Sequence, residues 1–214
     1  MIFTTREENN KWIEPRIAEF IGKPSAGFFD FEPHITPDGK SLIFGSGKNN
    51  TAILQQRCAT KTDSGWIDLK VLELDTEFCM FVTVANNGNL YFSGSDAFCV
   101  SKCIDGHYQT PEVLKGPINK ISESAHPFIA PDESYIIFDS YSDHGNANLF
   151  ISFKDSTENW TEPIRLNSDI NTTAHEMAAF VSRDNNYLFF SRFSDDVNIF
   201  WVDASFIEEL RPAK

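Results

Sequence analysis

A phrase of about a dozen residues recurs along the chain at intervals of about 50, and a period of that size constrains the fold more than any single motif. It is clearest as Pro33-His34-Ile35-Thr36-Pro37-Asp38-Gly39-Lys40-Ser41-Leu42-Ile43-Phe44. It returns as Pro127-Phe128-Ile129-Ala130-Pro131-Asp132-Glu133-Ser134-Tyr135-Ile136-Ile137-Phe138. Weaker copies end in Asn86-Asn87-Gly88-Asn89-Leu90-Tyr91-Phe92 and in Arg183-Asp184-Asn185-Asn186-Tyr187-Leu188-Phe189-Phe190.

Each repeat predicts four strands. The first covers Phe31–Pro37, Phe81–Ala85, His126–Ala130 and Ala178–Ser182. A turn follows, built on Pro37-Asp38-Gly39, Asn87-Gly88, Pro131-Asp132 and Asp184. Pro presets φ, Asp and Asn bond back to the chain, and Gly accepts positive φ. The second strand is a short apolar and aromatic run that ends at Phe44, Phe92, Phe138 or Phe190, which reads as a buried strand. The third strand ends in a basic residue in most copies, and the first of its five copies is Ile2–Arg6. The fourth opens on Trp12, Trp66, Tyr108 or Trp160, and a Pro within it suits an edge position.

Four short strands per unit, repeated, predict an all-β fold: a β-propeller of four-stranded antiparallel blades. The expected domain is single, spanning 1–214. It divides into a partial blade over 1–20, blades over about 29–74, 78–115, 124–167 and 175–204, and a tail over 205–214. The third strand occurs once more than the others. That imbalance predicts four blades plus a partial one, an incomplete five-bladed form whose first inner strands lie upstream of Met1. The competing reading closes four blades by placing Trp12–Ala18 beside the blade that begins at His175. A short helical turn is expected at Ser205–Leu210, where Ser205 and Glu208 have capping-box spacing and Pro212 marks the stop.

Acidic residues number 31 against 18 basic ones, for a net charge of −13, so a phosphate backbone is repelled and nucleic acid is not expected as a partner. No apolar run reaches the ~18 residues of a membrane span. Met1 to Trp12 lacks the basic flank and apolar stretch of a signal peptide. Cys58, Cys79, Cys99 and Cys103 form no CxxC pair; buried free thiols are expected, with Cys99 and Cys103 on one face of a strand.

The Pro-Asp-Gly turns, with Trp12-Ile13-Glu14-Pro15 and Trp160-Thr161-Glu162-Pro163 downstream, resemble the TolB-like, WD40-like β-propeller repeat family of bacteria. The likeness extends over essentially the whole chain, to the ending at Ile207–Pro212. It departs at Asn86-Asn87-Gly88 and Arg183-Asp184-Asn185, which keep the turn chemistry. The resemblance implies a propeller that is often exported to the periplasm or another extracytoplasmic space. It brings no agreed catalytic set, so no catalytic residue, metal ligand or cofactor is assigned.

Trp12, Pro37, Asp38, Gly39, Trp66, Asn87, Gly88, Tyr108, Pro131, Asp132, Trp160 and Asp184 are expected to serve the repeat itself. Aromatics at the fourth strands pack blade on blade, and the turn carboxylates cap backbone. Candidate ligand-binding residues gather on the innermost strands, at the rim of the central channel: Glu32, His34, Glu123, His126, His175 and Glu176. Glu32 occupies the register of His126. Convergent His and Glu there suit a polar ligand or a divalent ion. Asp143-His144-Gly145-Asn146 lacks the EF-hand pattern, and neither a GxSxG elbow nor a P-loop is present. The expected function is a non-catalytic binding or scaffold module for a protein or glycan. The alternative is a metal-dependent carbohydrate-active hydrolase or lyase with its site at the channel.

Overall fold

The computed structural model describes residues 3–4, 7–9, 11–17, 28–48, 54–63, 65–143 and 145–212. Two compact units divide the chain, Met1–Glu73 and Leu74–Lys214. The fold is all-β and of β-propeller type, with four antiparallel blade sheets and one short helix among the described residues.

The first unit holds β1 (Phe3–Thr4), β2 (Glu7–Glu8), β3 (Lys11–Trp12), β4 (Arg16–Ile17), β5 (Phe28–Ile35), β6 (Ser41–Lys48), β7 (Leu54–Thr62) and β8 (Gly65–Val71). The last four form one blade in that order, with Leu42, Phe44 and Ala59 buried and Trp66 and Leu69 packed against them. The first four form a nested hairpin, β1 with β4 and β2 with β3. The side chain of Trp12 and the backbone of Ile2, Thr5 and Arg6 lie outside the described residues.

The second unit holds β9 (Met80–Val84), β10 (Leu90–Ser93), β11 (Phe98–Ser101), β12 (Cys103–Ile104), β13 (His107–Tyr108) and β14 (Glu112–Val113). It continues with β15 (Ser124–Ile129), β16 (Tyr135–Asp143), β17 (Asn146–Phe153), β18 (Ile164–Arg165), β19 (His175–Val181), β20 (Tyr187–Phe193), β21 (Val197–Asp203) and α1 (Phe206–Leu210). Its sheets run β9-β10-β11-β14, β15-β16-β17-β18 and β19-β20-β21 from the innermost strand outward. One apolar cluster joins the first two of these sheets through Phe98, Phe138, Phe150 and Trp160. A second joins the last two through Leu149, Ile151, Leu188, Phe190 and Ile207. Buried apolar area of this kind is the main favourable term in holding blade on blade.

The N-terminal hairpin repeats the outer half of a blade residue for residue. Phe3 faces Ile17 and Glu7 faces Trp12, as Cys99 faces Val113 and Cys103 faces Tyr108. Its turn residue Asn9 has φ 52°, matching φ 51° at Asp105. The extra third strand read over Ile2–Arg6 coincides, in its described residues, with β1 (Phe3–Thr4).

All four repeat turns close alike. Asp38, Asn87, Asp132 and Asp184 each accept the backbone N–H two residues on, at 3.0 to 3.1 Å. The next residue is left-handed in every copy: Gly39, Gly88, Glu133 and Asn185, with φ between 58° and 86°. The four residues are therefore backbone caps in geometry, as their spacing suggests.

Three details differ from the sequence expectation. Cys99 lies in β11 and Cys103 in β12, so they do not share one strand, and all four cysteines are outside disulfides and half-buried rather than buried. Ser205 makes no side-chain cap: its backbone is already helical, and its own N–H goes to Asp203. Glu208 binds Arg211 instead of reaching back, at 2.7 and 2.9 Å.

Candidate functional site

The innermost strand of every blade carries the same irregularity. Two residues oppose one on the neighbouring strand: Glu32-Pro33 opposite Phe44, Phe81-Val82 opposite Phe92, His126-Pro127 opposite Phe138, and Ala178-Ala179 opposite Phe190. The first residue of each pair is left-handed, with φ 51°, 56°, 48° and 55°. These are β-bulges, which bend a strand and re-aim its side chains. Each opposing Phe is buried and anchors the kink from behind. Pro33 and Pro127 fit the second bulge position, where a missing N–H removes no ladder bond. Glu32 does share the register of His126.

A left-handed conformation at Glu, Phe, His and Ala stores backbone strain, and strain of this kind clusters at functional sites. In the second unit the bulges bring Phe81 and His126, equivalent residues of neighbouring blades, ring against ring with centroids 3.9 Å apart. The His126 side chain is 24% exposed, and its Nδ1 lies 2.9 and 3.1 Å from the two carboxylate oxygens of Asp139, which is wholly buried. Asp139 also accepts the N–H of Ala178, the bulge residue of the next blade, at 2.9 Å. One carboxylate thus fixes the imidazole and stitches two blades. With Nδ1 turned to Asp139, Nε2 is the ring nitrogen that faces away from that carboxylate.

Ser93 stands in the second unit's first blade where Asp139 stands in the next, since Ser93 pairs with Met80 as Asp139 pairs with Ala125. Its Oγ is buried and has no hydrogen-bond partner among the described residues. Ser93 lines a cavity of about 430 Å³ together with Asp96, Asn119, Glu123 and Ser124. Glu123 is exposed and left-handed, φ 53°.

The other expected residues divide. His175 accepts the N–H of Ala147 at Nδ1, 3.2 Å, and its ring lies 5.6 Å from that of Tyr141. Glu176 is fully buried and takes Arg192 at 2.7 Å, the Thr172 hydroxyl at 2.6 Å and the Thr172 N–H at 3.0 Å. A buried carboxylate so saturated is an anchor of its blade. Glu32 and His34 are half-buried on β5 of the first unit. Trp160 is buried, edge-on to Tyr91, while Trp66 and Tyr108 are half-buried. Asp143 pairs with Asn146 across a hairpin; the Asp143 side chain and His144 lie outside the described residues.

Sequence reading missed Phe81, Asp139 and Ser93. The usable signal was the Pro following Glu32 and His126, an unusual residue for an inner strand.

No family model matches the chain, and no curated protein matches it. Solved structures do. An endo-arabinanase of family GH43 from Bacillus licheniformis shares 12% identity over 81% of this chain and 73% of its own, with a TM-score of 0.54. TolB from Acinetobacter baumannii shares 16% over 81% of this chain, with a TM-score of 0.49. A gluconolactonase from Xanthomonas campestris shares 12% over 51%, with a TM-score of 0.38. The neighbours include TolB proteins and other propeller folds. At these identities the likeness is one of fold alone. The chain spans 34% of the gluconolactonase and 43% of TolB.

Proposed function

We infer that the chain is a non-catalytic β-propeller binding module, and that it takes a glycan at the bulged inner strands of the second unit. The observation that carries this reading is the Phe81–His126 ring pair held by buried Asp139. The two rings are tilted 47° to each other, and an aromatic face held this way suits the C–H face of a sugar. The imidazole edge supplies a hydrogen-bonding group, and the cavity lined by Ser93, Glu123 and Ser124 adds others on the same two blades. Half-buried groups set on rigid strands need little reordering on binding, which favours affinity.

The alternative, a metal-dependent hydrolase or lyase, requires three or more convergent ligands. Among the described residues no three of His, Cys, Asp and Glu are grouped to hold an ion. The binding reading has an observation of its own in the Phe81–His126 ring pair.

The test is a glycan array probed with the purified chain, beside melting curves with divalent cations. Binding to a glycan is expected, weakened about tenfold or more by Phe81→Ala and by His126→Ala, a loss of about 1.4 kcal/mol. A melting temperature raised by a metal, and not in His126→Ala with His175→Ala, would overturn the reading in favour of a metal-dependent enzyme.

A further inference from the structure

Among the described residues three blade sheets have four strands and the last has three, so within the second unit β21 ends its sheet with no described strand beside it. We propose that this edge is a strand-addition site for an extended, basic segment of another polypeptide.

The preceding blade shows what such an edge takes. Leu149 faces Asp139 across its ladder, and Ile199 faces Ser191 across the equivalent one, so Leu149 corresponds to Ile199 and Ile151 to Trp201. Leu149 and Ile151 are fully buried, beneath the next blade and beside β18. Ile199 and Trp201 are 75% and 61% exposed, and Val197 is 61% exposed. Positions that seal a blade are bare here.

The backbone tells the same story. On β17, Leu149 accepts the N–H of Leu166 and Phe153 accepts that of Thr161, so every second residue turns its polar groups to the outer strand. The matching residues of β21 are Ile199, Trp201 and Asp203. No described residue bonds the outward groups of Ile199 and Trp201. An exposed, apolar edge of this kind is a template for another strand.

The chemistry of the occupant follows from the same comparison. β17 seats Trp160-Thr161-Glu162-Pro163-Ile164-Arg165-Leu166, and the Arg165 guanidinium donates to Asn148 Oδ1 at 2.6 Å. Asn198 holds the position of Asn148 on β21. Asp195 and Asp196 lie just before β21 and Asp203 closes it, so both ends are acidic. Trp201 offers an exposed ring to a cation. A segment with Arg or Lys opposite Phe200, the equivalent of Phe150 opposite Arg165, reaches Asn198 and meets these groups. A second copy pairing edge to edge would set these acidic ends against each other, on chains of net charge −13.

The test uses a fluorescein-labelled peptide with the sequence of residues 160–167 but Lys in place of its glutamate, Trp-Thr-Lys-Pro-Ile-Arg-Leu-Asn, titrated with the whole chain and followed by anisotropy. Saturable binding is expected. It should weaken about tenfold or more when the peptide carries Glu in place of its arginine, and similarly against Asn198→Lys, whose exposed position spares the fold. Trp201→Pro, which deletes an outward N–H, should abolish binding, with circular dichroism confirming that the blades persist. Absence of peptide binding to the intact chain would overturn the proposal, as would equal binding by the charge-reversed peptide. A dimer in sedimentation that Asn198→Lys dissociates would overturn it too, assigning the edge to a second copy.

Discussion

At the residue scale, the groups that hold the second unit together are buried polar side chains with full sets of partners. Asp139 and Glu176 each serve as acceptors for groups separated in sequence. Glu133 does the same at the turn end, taking the Asn89 amide and the Tyr91 hydroxyl at 2.8 Å and Lys154 at 3.3 Å. Burial alone would raise its carboxyl pKa. The hydrogen bonds from Asn89 and Tyr91 and the Lys154 ammonium outweigh that and hold it below the ordinary 4.5. A lowered carboxyl stabilises the fold above its unfolded pKa and loses that contribution as pH falls through the folded value. Glu133→Gln should therefore melt below the wild type at neutral pH, and the gap should close as pH drops below 4.5. Melting curves across pH 7 to 3 check this; a gap that widens in acid contradicts it.

At the element scale, the bulge on each inner strand departs most from simple strand pairing. It was legible only in part. Pro33 and Pro127 signal a broken ladder, but nothing in Phe81-Val82 or Ala178-Ala179 does. The bulge is imposed there by register, because the buried Phe opposite must still reach the core. The inner strands also begin up to three residues earlier than their apolar runs, at Phe28 and His175, because polar residues such as Asp30 and Glu176 are buried on partners rather than exposed. The strain makes a direct prediction. Ala178 sits at φ 55° and contributes only its backbone N–H to Asp139. Ala178→Gly keeps that bond and relieves the conformation, for a gain of up to about 1 kcal/mol, or about 2–4 °C in melting temperature. Calorimetry of the two proteins decides it, and a lower melting temperature in the glycine variant would show that the strain is not there to be relieved.

At the scale of the whole molecule, charge governs the choice of partner. With a net −13, the chain should leave a DNA duplex unshifted in a gel even at low salt, where electrostatic attraction is strongest. Retardation of the duplex would require a basic surface that composition does not provide. The same charge favours the basic segment proposed for β21.

The sequence by itself determined the blade repeat and the four turns. Those features are local: Asp and Asn bond two residues along, Gly accepts positive φ, and a run of apolar residues pairs with its neighbour. Only the tertiary structure decided that His126 meets Asp139 and Phe81, since these are joined across strands and blades by a bulge that shifts register. It also decided that Ile199 and Trp201, apolar like their buried counterparts Leu149 and Ile151, are left bare. Composition cannot distinguish a covered strand from an uncovered one; the presence or absence of a neighbour does.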